Sequence, residues 1–169
     1  MSIAALFGLS ALMSFLAFGI VTKLYIWPKL RVMRRDDALI ALLVPHTFRF
    51  VGLSFLVPGV VSPALSPTFA VPAAYGDLIA AILAAISIWA LSIRASWAIA
   101  IVSLFNVWGT ADLLHAIYQG QIGARIGPGS LGAAFYIPTV IVPALLILHG
   151  LIFWLLLLKL PTRRAARRK

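Results

Sequence analysis

The sequence predicts an all-α fold, a polytopic membrane helix bundle with five transmembrane helices, N-terminus outside and C-terminus inside. Three observations carry that reading. Of 169 residues, 63% are hydrophobic and only 11% charged, and the mean hydropathy is +1.07, beyond the usual range of a water-soluble domain. A spanning helix needs about 20 mainly apolar residues, so the length holds five spans with short loops in one transmembrane domain, residues 1–169. The basic residues, finally, crowd the ends of the apolar runs that fall on one side.

The first apolar run covers residues 2–27. It lacks a basic leader and a small-x-small cleavage pattern, and Lys23, Lys29, Arg31, Arg34 and Arg35 follow it, so a retained span with its N-terminus outside fits better than a cleaved signal peptide. Pro28 is expected to end this helix and Lys29–Asp37 to form a basic inner loop. The second span, residues 38–60, carries Pro45, His46, Arg49, Gly52 and Pro58. Pro45 implies a kink or a polar neighbour, because proline frees a backbone carbonyl one turn earlier. Ser62–Pro72 reads as an outer loop.

The third span, residues 73–93, has Asp77 in its first turns and a small-residue row, Ala80, Ala81, Ala84 and Ala85, suited to close packing. Arg94 marks a tight inner turn. The fourth span, residues 96–118, carries Asn106, Trp108, Thr110, Asp112 and His115 and is the most polar, which predicts a central position. Gln119–Gly132 reads as a flexible, glycine-rich outer loop with one charge, Arg125. The fifth span, residues 133–160, includes Pro138, Pro143 and His149, and a basic cytoplasmic tail, residues 161–169, follows.

Charge and aromatic placement agree with this topology. Lys23, Lys29, Arg31, Arg34, Arg35, Arg94, Lys159 and the tail fall inside or at its edge, with Arg125 outside and Arg49 within a span. Trp27, Trp89, Trp97 and Trp154 fall near the inner interface, and Tyr75, Tyr118 and Tyr136 near the outer one. The net charge of +10 is therefore explained by orientation in a cytoplasmic (inner) membrane and by anionic lipid headgroups at the inner basic segments, not by nucleic acid. The absence of cysteine excludes disulfides, thiol catalysis and iron–sulfur ligation.

The candidate site is the set of ionisable and amide side chains inside the spans. A guanidinium within a bilayer needs a partner or water. Of the four acidic residues, Asp36 and Asp37 belong to the inner loop, so Asp77 and Asp112 are the candidates to neutralise Arg49, with Asp112 preferred and Arg125 free to take the other. At about 1.5 Å per residue, Arg49 lies near the midplane with Asn106, while Asp77, Asp112 and His115 lie in the outer third, one turn above it. His46 and His149 share a depth on the inner side. Trp108, Asp112, His115 and Gln119 recur at helical spacing on one face of the fourth span, and Asn106, Gly109, Thr110 and Leu113 on another.

Read functionally, His46, Arg49, Asp77, Asn106, Asp112 and His115 line an outward-facing polar cavity that binds a small or lipid-like ligand or passes protons. The structural alternative is an interhelical salt bridge that fixes helix register in a non-catalytic accessory subunit of a larger membrane complex or a homo-oligomer. A lipid- or quinone-acting enzyme is the third reading. No catalytic residue is assigned and no cofactor is identified; the matched depth of His46 and His149 raises a haem with two axial imidazoles, without a supporting glycine pattern. A metal site would need a third ligand beyond Asp112 and His115, and neither H-E-x-x-H nor G-x-S-x-G occurs.

Overall fold

A computed structural model describes residues 1–157. It contains five helices long and apolar enough to cross a membrane: α1 Ile3–Leu30, α2 Arg35–Leu56, α3 Pro67–Ser92, α4 Ala98–Gly123 and α5 Ile137–Leu157. The basic tail and the last residues of the fifth span, with Lys159, lie outside the described residues. α2 to α5 form the bundle proper. α1 buries none of its most apolar stretch and leans one edge, Phe7, Ser10, Ala11, Ser14 and Phe18, against α5 and the segment before it.

Prolines shape the helices without ending them where the sequence suggests. Pro28 does not stop α1; a π-helical turn at Thr22–Ile26 widens the helix just before it, and the chain continues helical to Leu30. The wider turn absorbs the hydrogen bond that proline cannot make. α3 begins at Pro67, where a proline's missing N–H would be unpaired anyway. It then carries Pro72 inside the helix, so Asp77 sits well within α3 rather than in its first turns. α4 likewise runs through a π-helical turn at Gln119–Gly123, which leaves only a short connection before a 3-10 segment, Pro128–Phe135, bent at Gly132 (φ 52°). The glycine-rich stretch is thus largely built into ordered turns.

The largest departure is in α2. It is α-helical over Arg35–Leu43 and then 3-10 over Val44–Leu56, 13 residues, although such runs seldom exceed 3–4 residues. The change of geometry starts beside Pro45, which has no N–H to donate to a carbonyl one α-turn back; Val44 before it keeps helical angles (φ -52°, ψ -48°). With three residues per turn, every third side chain falls in one straight row, and the buried residues of this segment are His46, Arg49, Gly52 and Phe55.

The core has two apolar clusters. One joins Leu30, Leu39, Leu42, Leu43, Ala84, Val102, Phe105, Ile152 and Leu155 at the end that the sequence predicts to face inward, hereafter the inner end; the other, at the end outer in the same sense, joins Phe55, Leu65, Phe69, Ala73, Ala74, Leu131, Ala134 and Ile137. Arg35 closes the inner end by donating to the carbonyls of Leu155 (3.0 Å) and Leu156 (3.1 Å) on α5. At the outer end, Ser62 N–H donates to Ser130 C=O (2.9 Å) and Ala133 N–H to Val60 C=O (2.9 Å), which stitches the α2–α3 loop to the segment before α5. Gly132 lies so close to the Val60 carbonyl that no side chain fits.

The central helix is α3, not the more polar α4. Half of α3's apolar window is buried, because Ala70, Ala73, Ala74, Gly76, Ala80, Ala81, Ala84 and Ala90 let neighbouring backbones approach. Ala85, the fourth member of the expected small-residue row, is exposed. α4 packs on α3 and α5 and leaves Leu104, Val107, Trp108 and Leu114 exposed.

Candidate functional site

Between the two apolar clusters lies a polar layer centred on Arg49, whose side chain is fully buried. Its guanidinium engages four acceptors. Nε donates to Asp77 Oδ1 on α3 (2.7 Å) and Nη2 to Asp112 Oδ2 on α4 (2.6 Å). Nη1 faces the Gly109 carbonyl (3.2 Å) and His149 Nε2 on α5 (3.4 Å). Arg49 therefore takes both aspartates, where the sequence suggested one for Arg49 and one for Arg125; Arg125 is exposed in the connection after α4.

Two features of α2 bring these groups level. The helix starts at Arg35 rather than at residue 38, and its 3-10 part rises about 2.0 Å per residue instead of about 1.5 Å. Together they lift Arg49 to roughly 23 Å from the inner end of its helix, beside Asp77 and Asp112 at about 21–23 Å from theirs. No upward reach of one turn is needed.

The hydrogen-bond pattern fixes the state of His149. Arginine only donates, so His149 Nε2 accepts, and Nδ1 carries the proton and donates to Asn106 Oδ1 (2.7 Å). Asn106 Nδ2 in turn donates to the His149 carbonyl (3.3 Å). His46 lies one 3-10 turn inward of Arg49, with its ring 4.3 Å from that of His149 and 5.0 Å from that of Phe105. Its two ring nitrogens have no hydrogen-bond partner among the described residues, and it packs through its ring against His149 and, in a T-shaped contact, Phe105.

Of the six candidates read from the sequence, the structure brings together His46, Arg49, Asp77, Asn106 and Asp112, and adds His149. His115 stands apart. It is exposed one turn above Asp112 and pairs with Gln119 Nε2 at 3.4 Å. Three glycines complete the site: Gly52 and Gly109, which the sequence reading named, Gly109 as a packing position, and Gly76, which it did not. A Cβ on Gly52 would collide with Asp77, one on Gly76 with Asp112, and one on Gly109 with Arg49 and His149. Each of α2, α3 and α4 thus presents bare backbone to a neighbour's charged group.

Haem does not fit these histidines. Both ring nitrogens of His149 are engaged, and its ring lies directly against that of His46, leaving no room for a porphyrin plane between them. Among the described residues no three metal-ligating side chains converge. Beside Arg49, Gly52 and Asp77 there is a cavity of about 10 Å³, walled by Phe48, Val51 and the α5 residues Ile137, Ile141, Val142 and Leu145, room for about one water. A larger groove of about 290 Å³ lies farther out, along Phe55–Pro63, and is lined mainly by apolar side chains.

A family model described as a domain of unknown function, DUF8737, matches residues 6–157. The chain belongs to this family. The DUF8737 match runs from α1 through α5, so every residue of the polar layer lies inside it. No curated protein and no solved structure matches the chain.

Proposed function

We propose that this member of the DUF8737 family is a multi-pass protein of the cytoplasmic membrane, N-terminus outside, whose Arg49–Asp77–Asp112 cluster binds a single proton from the outer side. The observation that carries the reading is a charge count in a confined space. One guanidinium faces two carboxyl groups, each about one-tenth exposed, and His149 accepts from Arg49 as a neutral ring, so with both aspartates ionised the cluster would carry one uncompensated negative charge. Buried charge without compensation is expensive. The adjoining space of about 10 Å³ suits a water or a proton and is far too small for the lipid-like ligand that the sequence alone left open.

Orientation rests on Lys23, Lys29, Arg31, Arg34, Arg35 and Arg94, which fall at the end of the bundle where Trp27 meets Trp154 (4.5 Å) and Trp89 meets Trp97 (5.9 Å). The same end is filled by the inner apolar cluster, with Leu39, Leu43, Val102, Phe105 and Ile152 fully buried. That seal supports access from the outer side. Infrared spectroscopy of the detergent-solubilised protein through an acid titration tests the proposal. A protonated-carboxyl band, read as the difference from the D77N/D112N double variant so that Asp36, Asp37 and the C-terminal carboxyl cancel, should grow in while the fold persists. A folded protein that never shows the band defeats the reading.

A second reading, a non-catalytic subunit in which the cluster only locks α2, α3 and α4, draws support from the glycine contacts, which look built for rigidity. Asp112→Ala separates the two. Loss of the carboxyl band with the fold intact supports proton binding, and loss of folding alone supports the lock.

A further inference from the structure

The 3-10 half of α2 is held straight by the same charges that form the cluster. A 3-10 helix turns about 120° per residue and an α-helix about 100°. His46, Arg49, Gly52 and Phe55 therefore share one face only in the 3-10 form. In an α-helix each step of three residues would swing the row by about 60°, and Phe55 would end on the side opposite His46. The α form cannot at once place Arg49 between the two aspartates, seat bare Gly52 on Asp77 and bury Phe55 in the outer cluster.

We infer that Val44–Leu56 is a two-state element, which Arg49's bridge to Asp77 and Asp112 holds in 3-10 form and which relaxes to an α-helix when one carboxylate loses its charge. The inference rests on the proton-binding reading above and gives it a mechanical output. The charged or titratable groups that face Arg49 are Asp77 on α3, Asp112 on α4 and His149 on α5, with His46 on its own helix. The aspartates carry the opposing charge, His149 faces it through Nε2, and the His46 ring lies against that of His149.

Relaxation shortens the segment by about 0.5 Å per residue, roughly 6 Å from Val44 to Leu56. The outer end cannot absorb that freely. Val60 and Ser62 are bound through the backbone to Ala133 and Ser130, the neighbours of Leu131, which plugs the outer cluster with 1% of its surface exposed. Drawing in α2 therefore pulls on the Pro128–Phe135 segment and its plug, so the charge state of the cluster sets the closure of the outer end.

The chain has no cysteine, so cysteines placed at Val44 and Leu56, which are 45% and 38% exposed, can carry a pair of spin labels on an otherwise natural full chain. The backbone separation expected is about 24 Å for the 3-10 form and about 18 Å for the α form. D77N and D112N should each shift the label-to-label distance down by about 6 Å, as should R49Q, which removes the clamp from the other side. A label separation already matching the α form in the natural chain, or one unchanged in every variant that folds, overturns the inference. If the asparagine variants fail to fold, acidifying the natural chain reads the same distance, and constancy while the carboxyl band grows in overturns it equally. Shortening in D77N without any carboxyl band in the natural chain would keep the two-state helix and remove the proton reading.

Discussion

α1 and α3 are both long, apolar helices, yet they occupy opposite places in the molecule. None of α1's most apolar window is buried, whereas half of α3's is. α1 presents Leu6, Leu9, Leu12, Met13, Leu16 and Ile20 to its surroundings, while α3 hides alanines, Gly76 and Asp77. The contrast is the one expected of a bundle that sits in hydrocarbon, as five helices long and apolar enough to cross a membrane suggest. Where the solvent is as apolar as leucine, large apolar side chains gain nothing by turning inward, and small or polar residues that allow close approach and hydrogen bonding hold the helices together.

The comparison can be broken most forcefully at its polar centre. Arg49→Ala leaves Asp77 and Asp112 facing each other without a counter-charge, and should destabilise the protein by about 3–5 kcal/mol, read as a drop in thermal unfolding temperature in detergent. A glycine pair sharpens it. Gly76→Ala sets a methyl group against the Asp112 carboxylate and should cost about 1–3 kcal/mol. Gly8→Ala, on α1 with nothing within 4 Å, should be neutral or stabilise by up to about 1 kcal/mol through helix propensity. Equal effects at the two glycines would deny that α3 is the packed helix and α1 the peripheral one. A smaller cost than at Gly76 is expected at the inner seam, where Arg35→Gln loses two bonds to α5 carbonyls and should cost about 1 kcal/mol.

Much of the fold was legible in the sequence because hydropathy and span length report directly on helices of this kind. The pairing of Arg49 with aspartates also followed from counting, since the chain holds so few acids. Three things did not follow. The 3-10 geometry of α2 escaped a reading that assumed 3.6 residues per turn, although Pro45 and the spacing His46, Arg49, Gly52, Phe55 carry its signal. The roles of Gly52, Gly76 and Gly109 depend on which backbone faces which charge, and that is a property of helix–helix packing. The centrality of α3 was hidden because polarity drew attention to α4, whereas small side chains decide which backbones meet.

The order of the three charged residues along the chain has a consequence for biosynthesis. Asp77 follows Arg49 by 28 residues and Asp112 by 63. At about 5–20 residues per second, the ribosome supplies the first counter-ion roughly 1–6 s after the arginine and the second about 3–13 s after it. On the proposed membrane placement, α2 on its own would have to lodge a bare guanidinium among lipid tails, which favours its waiting at the translocon until α3 arrives and the two enter as a hairpin. Nascent chains stopped before Asp77 should accordingly fail to hold α2 across the bilayer, and glycosylation tags in the loop after α2 would report it.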